Sequence, residues 1–341
     1  MTPSVRFSFS IINGKTVHRL VHDDLEGCVE AVRKAYVAHS EAQSVNPPSV
    51  FLRFDDRPNA RIIGLPSHLA APWDISGIKW IASYPENVSR GFPRASAVVI
   101  LNSHEHGYPF ACLEGSIISA ARTAASAVLA AQQLGHGARQ VRAFGIAGTG
   151  LIARYVYRFL LGTGWKIETV HLFDVASTEA QRFATQVCEP DHHAAIQVAP
   201  NLPALLKACD LVLFATVASS PHVADPELFA HRPLVLHISL RDLAPAVILN
   251  ACNVVDDVDH VLKAETSVHL AEKVTGGRDF IAGTLPQVLK GECVVDHTRP
   301  VIFSPFGLGV LDLAVGKWVY DRAVALGEHL VVDDFFYDLG R

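Results

Sequence analysis

The sequence predicts an α/β protein: a central Rossmann-type doubly wound parallel sheet that starts mid-chain, preceded by a separate α+β region. Three observations predict it. A glycine-rich turn, Gly148-Thr149-Gly150-Leu151-Ile152-Ala153, follows an apolar run and opens a helical segment. From residue 139 onward, continuous apolar runs alternate with helical stretches, as parallel strands covered by crossover helices do. Residues 1–138 read differently, as short β-like runs separated by turn residues.

Taken in order, residues 4–21 alternate around Asn13-Gly14, a two-residue hairpin signal. Asp23 is placed to cap a helix running to about His39, with Leu25, Val29, Val32 and Tyr36 on one face. Runs at 50–54, 61–65, 78–83 and 97–101 predict a mostly antiparallel sheet. Residues 114–134 are rich in Ala and Ser and predict a long helix, with Glu114 at its start to favour the helix dipole. Strands are then expected at 141–146, 167–173, 210–216, 233–238 and 253–255, with helices near 151–161, 177–187, 201–208 and 244–250. Residues 258–290 read as helical. A run at 301–304 leads through Pro305-Phe306-Gly307 to a last helix over 311–326 and an apolar-acidic tail.

Composition narrows the function classes. The chain has 341 residues, half hydrophobic and 18% charged, which suits a two-domain globular protein. Its net charge of -5 argues against a nucleic-acid partner. Residues 1–125 hold twelve Lys/Arg against eleven Asp/Glu; the remainder hold seventeen against twenty-three. An anion site in the first part must therefore rest on a few aimed cations. Six scattered cysteines without a C-x-x-C pair, no secretory leader and no spanning apolar run predict a cytoplasmic protein off the membrane. His192-His193 and His104-x-His106 lack further local ligands, so no metal is expected.

The turn at 148–153 has a specific chemistry. Gly148 permits a tight turn, Gly150 lets a pyrophosphate approach the backbone, and Ala153 keeps helix and strand close. The helix start at Leu151 and Ile152 offers free N–H groups and partial positive charge. Roughly twenty residues on, Asp174 ends the next strand, where a carboxylate meets ribose hydroxyls and repels a 2′-phosphate. The cofactor expected is therefore NAD rather than NADP, with a flavin or an unoccupied Rossmann domain as the alternatives. Thr216 closes a later strand, either in the ligand crevice or as a strand-end cap.

Four cations sit in or beside apolar runs: Arg53, Lys79, Arg94 and Arg122. Singly, each reads as a snorkelling or salt-bridged side chain. Together, beside a dinucleotide motif, they point to a polyanionic substrate, because cations are rarely buried without an anionic partner.

The run Gly77-Ile78-Lys79-Trp80 … Tyr84-Pro85-Glu86-Asn87, the Arg122-Thr123-Ala124-Ala125 helix and the mid-chain glycine turn resemble the ornithine cyclodeaminase/μ-crystallin family over nearly the whole chain. The resemblance implies a substrate-binding and dimerisation domain from residues 1–126 with 306–341, and an NAD-binding domain from 127–305. It implies a homodimer. It implies that Arg53, Lys79 and Arg122 hold the substrate carboxylate, and that Asp242 donates and accepts protons, with Lys79 sharing the activation of water. Ser239, Arg122 and Gly307 join the cofactor site in this reading. The bland alternative for Asp242 is an ion pair with adjacent Arg241.

The loop Ser239-Leu240-Arg241-Asp242-Leu243-Ala244-Pro245 and the segment around Arg94 depart from the ornithine enzyme. They are similar to the subgroup of 2,3-diaminopropionate-biosynthesis dehydrogenases. That likeness implies oxidation of N-(2-amino-2-carboxyethyl)-L-glutamate to an imine, then hydrolysis to L-2,3-diaminopropionate and 2-oxoglutarate, for a siderophore or peptide antibiotic. Arg94 then answers an additional carboxylate, or a cofactor phosphate. Ornithine cyclodeamination, ketimine or imino-acid reduction, and non-enzymatic ligand binding are the alternatives the family offers.

Overall fold

The computed structural model describes residues 8–135 and 137–337. The chain forms two compact units, one from Met1–Arg122 with Leu308–Arg341 and one from Thr123–Gly307.

The first unit is a mixed sheet with helices on one side. Its strands run in the order Leu330–Val332, Phe9–Ile12, Pro109–Glu114, Ala95–Ser103, Ile75–Ser83, Arg61–Leu69 and Ser44–Val45; Val50–Arg53 also pairs with Arg61–Leu69. Every pairing is antiparallel except Phe9–Ile12 with Pro109–Glu114. Helix Gly309–Ala325 is buried all round from Gly309 to Gly316 and packs on the central strands, which buries Leu311, Leu313 and Val315 completely. The apolar-acidic tail supplies the strand Leu330–Val332, and Phe335 stacks on Phe9 at 4.0 Å.

The hairpin expected at Asn13-Gly14 does not form; residues 4–7 of that stretch lie outside the described residues. Asn13 instead caps helix Gly14–His22, its side chain accepting the Thr16 N–H at 3.0 Å. Asparagine serves turns and helix starts by the same local hydrogen bond, and the amphipathic spacing of Val17, Leu20 and Val21 decides for the helix. The next helix, Leu25–Ser40, is capped by Asp24 rather than Asp23. Strand Pro109–Glu114 went unpredicted, and the Ala-rich helix begins after it, at Gly115.

The second unit holds an eight-stranded, wholly parallel sheet. The order is Ala195–Val198, Lys166–Phe173, Gln140–Ala147, Leu211–Phe214, Leu234–His237, Val301–Ser304, Cys252–Val255 and Ile281–Thr284. Strand order reverses at Gln140–Ala147, so a crevice opens beyond the carboxyl ends of that strand and its neighbour Leu211–Phe214. Leu205, Leu206, Val212, Phe214, Val235, Ile248 and Ile302 fill one side of the sheet. Residues 258–290 are not continuously helical. Gly276, at φ 69°, stops helix Ser267–Thr275, and the chain then adds edge strand Ile281–Thr284 before the short helix Leu285–Leu289.

Among the described residues no helix is long and apolar enough to cross a membrane.

Candidate functional site

Strand Gln140–Ala147 delivers the glycine turn to the crevice. Gly148 has φ 86°, and a Cβ there would lie 2.7 Å from the Ala215 carbonyl oxygen and 2.9 Å from the Thr216 amide. Only glycine allows the turn to pass that close to the neighbouring strand end. Gly150 differs: a Cβ there would meet nothing within 4 Å, so its open side faces the groove. Gly150 starts helix Leu151–Gly162 without any side-chain cap, which leaves the amides of Leu151 and Ile152 for a ligand. Ala153 is fully buried between helix and strand.

A groove of about 1240 Å³ runs over this turn, lined among others by Asp174, Leu206, Lys207, Thr216 and His222. Asp174 accepts the Thr149 N–H and hydroxyl, both at 2.9 Å, on one oxygen and the Ala176 N–H at 3.0 Å on the other. The carboxylate thus braces the turn and the next loop while lining the groove. An open glycine, an uncapped helix start and an acid at the second strand end fit a dinucleotide.

At the ends of the later strands sits Asp242, completely buried. Thr216 and Ser239 each donate a hydroxyl to it, one to each carboxylate oxygen. His222 Nε2 lies 3.0 Å from Oδ1. His237 Nε2 lies 3.3 Å from Oδ2 and 3.2 Å from the Asp242 amide, and its Nδ1 is 3.2 Å from Ser304 Oγ. That Nε2 donates to the carboxylate when it bears the hydrogen and accepts the amide N–H when Nδ1 bears it. Burial pushes the Asp242 carboxyl up, but His237, Ser239 and Thr216 outweigh it and hold the group well below the usual carboxylate range. Arg241 does not pair with Asp242; it donates to the Ala264 carbonyl at 2.7 and 3.1 Å.

His222 was missed in the sequence. Its side chain is 41% exposed, it lines the groove, and its backbone N–H donates to the Asp242 carbonyl at 2.9 Å. The signal was present: a histidine shortly after a strand end at the switch point of a parallel sheet. His193, by contrast, is structural, spanning the Ile167 carbonyl at 2.7 Å and the Tyr157 hydroxyl at 2.8 Å. Gly307, expected at the cofactor, has φ 93°; its amide, with that of Phe306, donates to buried Asp256 at 2.7 and 2.8 Å.

The first unit gathers two of the four cations. Lys79 Nζ is 2.8 Å from Asp312 Oδ2 and 3.1 Å from Ser119 Oγ, while Arg122 Nε is 3.1 Å from Asp312 Oδ1. Lys79 is only 2% exposed and Asp312 not at all. Burial pushes the Lys79 amine down to about 8; the Arg122 charge adds to this and Asp312 opposes it. Asp312 was also missed, although it is an acid inside an apolar helical run, the same anomaly that exposed the cations. Arg53 stands elsewhere on the sheet, in strand Val50–Arg53, and Arg94 lies in the turn before strand Ala95–Ser103. Arg53 is exposed with its guanidinium 5.1 Å above the Phe51 ring, and Arg94 is exposed with Nη1 donating to Ser83 Oγ at 2.9 Å. Glu114 accepts the amides of Ser116 and Ile117 at 2.7 and 2.9 Å at the start of its helix.

The model of the ornithine cyclodeaminase/mu-crystallin family matches residues 15–327. The chain belongs to that family. Among curated members it is 29% identical over 303 residues to N-((2S)-2-amino-2-carboxyethyl)-L-glutamate dehydrogenase of Staphylococcus aureus, covering 86% of this chain and 89% of that one. It is 28% identical over 323 residues to alanine dehydrogenase of Archaeoglobus fulgidus, covering 92% and 95%. The fold is that of Thermococcus litoralis Delta(1)-pyrroline-2-carboxylate reductase, solved in complex with NADH and L-proline. The TM-score is 0.86 at 22% identity, over 95% of this chain and all of that one. An archaeal alanine dehydrogenase dimer with bound NAD superposes with a TM-score of 0.84 at 24% identity, over 96% of this chain and all of the other.

Proposed function

We propose that this family member oxidises N-(2-amino-2-carboxyethyl)-L-glutamate with NAD and hydrolyses the resulting imine to L-2,3-diaminopropionate and 2-oxoglutarate. The class is an NAD-dependent amino-acid oxidoreductase. The observation that carries the finer reading is the set of four cations in or beside apolar runs: Lys79 and Arg122 leave one net positive charge after Asp312, and Arg53 and Arg94 add two more. Three net charges suit three carboxylates.

NAD, when bound, supplies the hydride acceptor. Gly148, Gly150, Leu151 and Ile152 would hold its pyrophosphate and Asp174 its ribose, with Thr216, Ser239 and Gly307 as further contacts. Lys79 and Arg122, already aligned by Asp312, bind the α-carboxylate and orient Cα–H; charge-assisted hydrogen bonds contribute about 1.5–3 kcal/mol each. Arg53 and Arg94 bind the remaining carboxylates. Both Asp242 oxygens already accept hydrogen bonds, and its carboxyl is held low. It therefore acts as an anion that orients His222, whose Nδ1 takes the proton from the amine nitrogen, returns it to the imine nitrogen, takes one from the attacking water and delivers that to the departing amine, the carbinolamine hydroxyl proton leaving to solvent. Positioned acid–base groups typically give ~10²–10⁴-fold.

The test is NADH absorbance on adding the aminocarboxyethyl-glutamate compound to protein and NAD. NADH should accumulate with stoichiometric 2-oxoglutarate. Asp242→Asn and His222→Ala should each lower turnover at least tenfold while NAD affinity stays within threefold. No NADH from this compound, with NADH from alanine, would instead support a monocarboxylate dehydrogenase. The single net charge of the Lys79–Arg122–Asp312 group is the observation that favours that second reading.

A further inference from the structure

Backbone strain gathers beside Asp242. Among the described residues seven non-glycines have left-handed φ, and three of them meet in one contact: Leu240 at 73°, Ala264 at 55° and Glu265 at 54°. A side chain makes that conformation costly, whereas glycine adopts it freely. Leu240 is the one large apolar residue among the seven. Such residues persist only where surrounding contacts over-determine them. The Ser267 amide donates to the Leu240 carbonyl at 2.7 Å. Arg241 closes the other side, with Nε and Nη2 both donating to the Ala264 carbonyl at 3.1 and 2.7 Å. The segment that makes this clamp is itself fixed. Thr266 donates its hydroxyl to the Val261 carbonyl at 2.5 Å and accepts the His269 amide at 3.1 Å, at the start of helix Ser267–Thr275. Lys273 pairs with Glu265.

The clamp holds the turn that carries Ser239 and Asp242. Ser239 reaches the Asp242 carboxylate across that turn, from three residues away, and Leu240 lies between them. On its far side Asp242 is tied to the next loop, its carbonyl accepting the amides of His222 and Val223, both at 2.9 Å. Neither tie fixes the φ of Leu240. If Leu240 relaxes to the right-handed region, the peptide planes between Ser239 and Asp242 rotate, and hydroxyl and carboxylate lose their alignment. We propose that Arg241 is a positioning residue: by clamping to Ala264 it keeps Leu240 left-handed and so aims Asp242 at Thr216, Ser239 and His222. This rests on the reading of Asp242 and His222 as the acid–base pair. It gives Arg241 a role other than an ion pair with its neighbour, and it accounts for two guanidinium donors on one backbone carbonyl.

The test is a rescue. NADH formation is read with the aminocarboxyethyl-glutamate compound and with alanine, beside hydrogen–deuterium exchange of the NAD-saturated protein. Arg241→Met should lower kcat at least tenfold on the compound that is turned over and leave the KM for NAD within threefold. It should also speed exchange of the Ser267 amide at least tenfold. Leu240→Gly alone should keep kcat within threefold of wild type. Leu240→Gly added to Arg241→Met should bring both kcat and exchange back to within threefold of wild type, because glycine takes the left-handed turn without the clamp. Leu240→Ala added to Arg241→Met should restore neither, since it keeps the Cβ. Wild-type exchange in Arg241→Met, or a loss that Leu240→Gly does not reverse, overturns the clamp. The exchange arm needs no substrate, so it decides alone if neither compound yields NADH. Full turnover in Asp242→Asn, with exchange still freed by Arg241→Met and recaptured by Leu240→Gly, keeps the clamp and loses the acid–base reading. An inactive Asp242→Asn beside a fully active Arg241→Met keeps the acid–base reading and loses the clamp.

Discussion

Asp312 sets the state of the residues around it. Two cations share its carboxylate inside the protein, and burial holds the Lys79 amine at about 8 against an ordinary 10.5. The folded pKa lies below the unfolded one, so the unfolded chain binds more protons between about pH 8 and 10.5. The Lys79 contribution to stability therefore rises with pH across that window, by up to about 1.4 kcal/mol per pH unit. The difference in unfolding free energy between wild type and Lys79→Met, from denaturant melts, should climb between these limits; a flat difference would refute it. Asp312→Asn should cost about 3–5 kcal/mol, since it leaves two cations without their buried anion. In the sequence, Lys79 and Arg122 were legible because a charge in an apolar run is anomalous. Their convergence was not, because Asp312 comes from a helix far along the chain, and only the packing of Gly309–Ala325 on the sheet brings it there.

At the scale of elements, the glycine turn separates two kinds of glycine that look alike in the sequence. Gly148 is demanded by the backbone and Gly150 by the space beside it. Gly148→Ala should lose about 1–2 kcal/mol to the left-handed conformation alone, plus the clash with Ala215, and lower the melting temperature. Gly150→Val should melt like wild type yet bind NAD at least tenfold more weakly by titration. Equal loss of stability in both variants would contradict this division. The parallel sheet was readable because its buried strands are continuous apolar runs bounded by turns. The region 258–290 was not, since short apolar runs fit helix and strand alike until a neighbouring edge, here Cys252–Val255, claims one of them. Asn13 failed for a related reason: one side-chain hydrogen bond serves both turn and cap.

At the scale of the molecule, the other face of the first sheet carries the argument. Val50, Trp80 and Val98 lie in one row with Gly64, and Ile62, Ile78 and Ile100 flank them on the same face. Val50 is 63% exposed, Trp80 42% and Val98 36%, while helix Gly309–Ala325 covers only the opposite face. A broad exposed apolar patch of this kind marks an interaction surface. A two-fold pairing buries the same patch on both copies, and its central aromatic carries most of the binding energy. We predict that the chain pairs with a second copy of itself through this face, with Trp80 against the partner's sheet. Light scattering after size exclusion should give a dimer for wild type at micromolar concentration and a folded monomer for Trp80→Glu with Val98→Glu, with unchanged circular dichroism. A monomeric wild type, or a double variant that remains dimeric, would place the interface elsewhere.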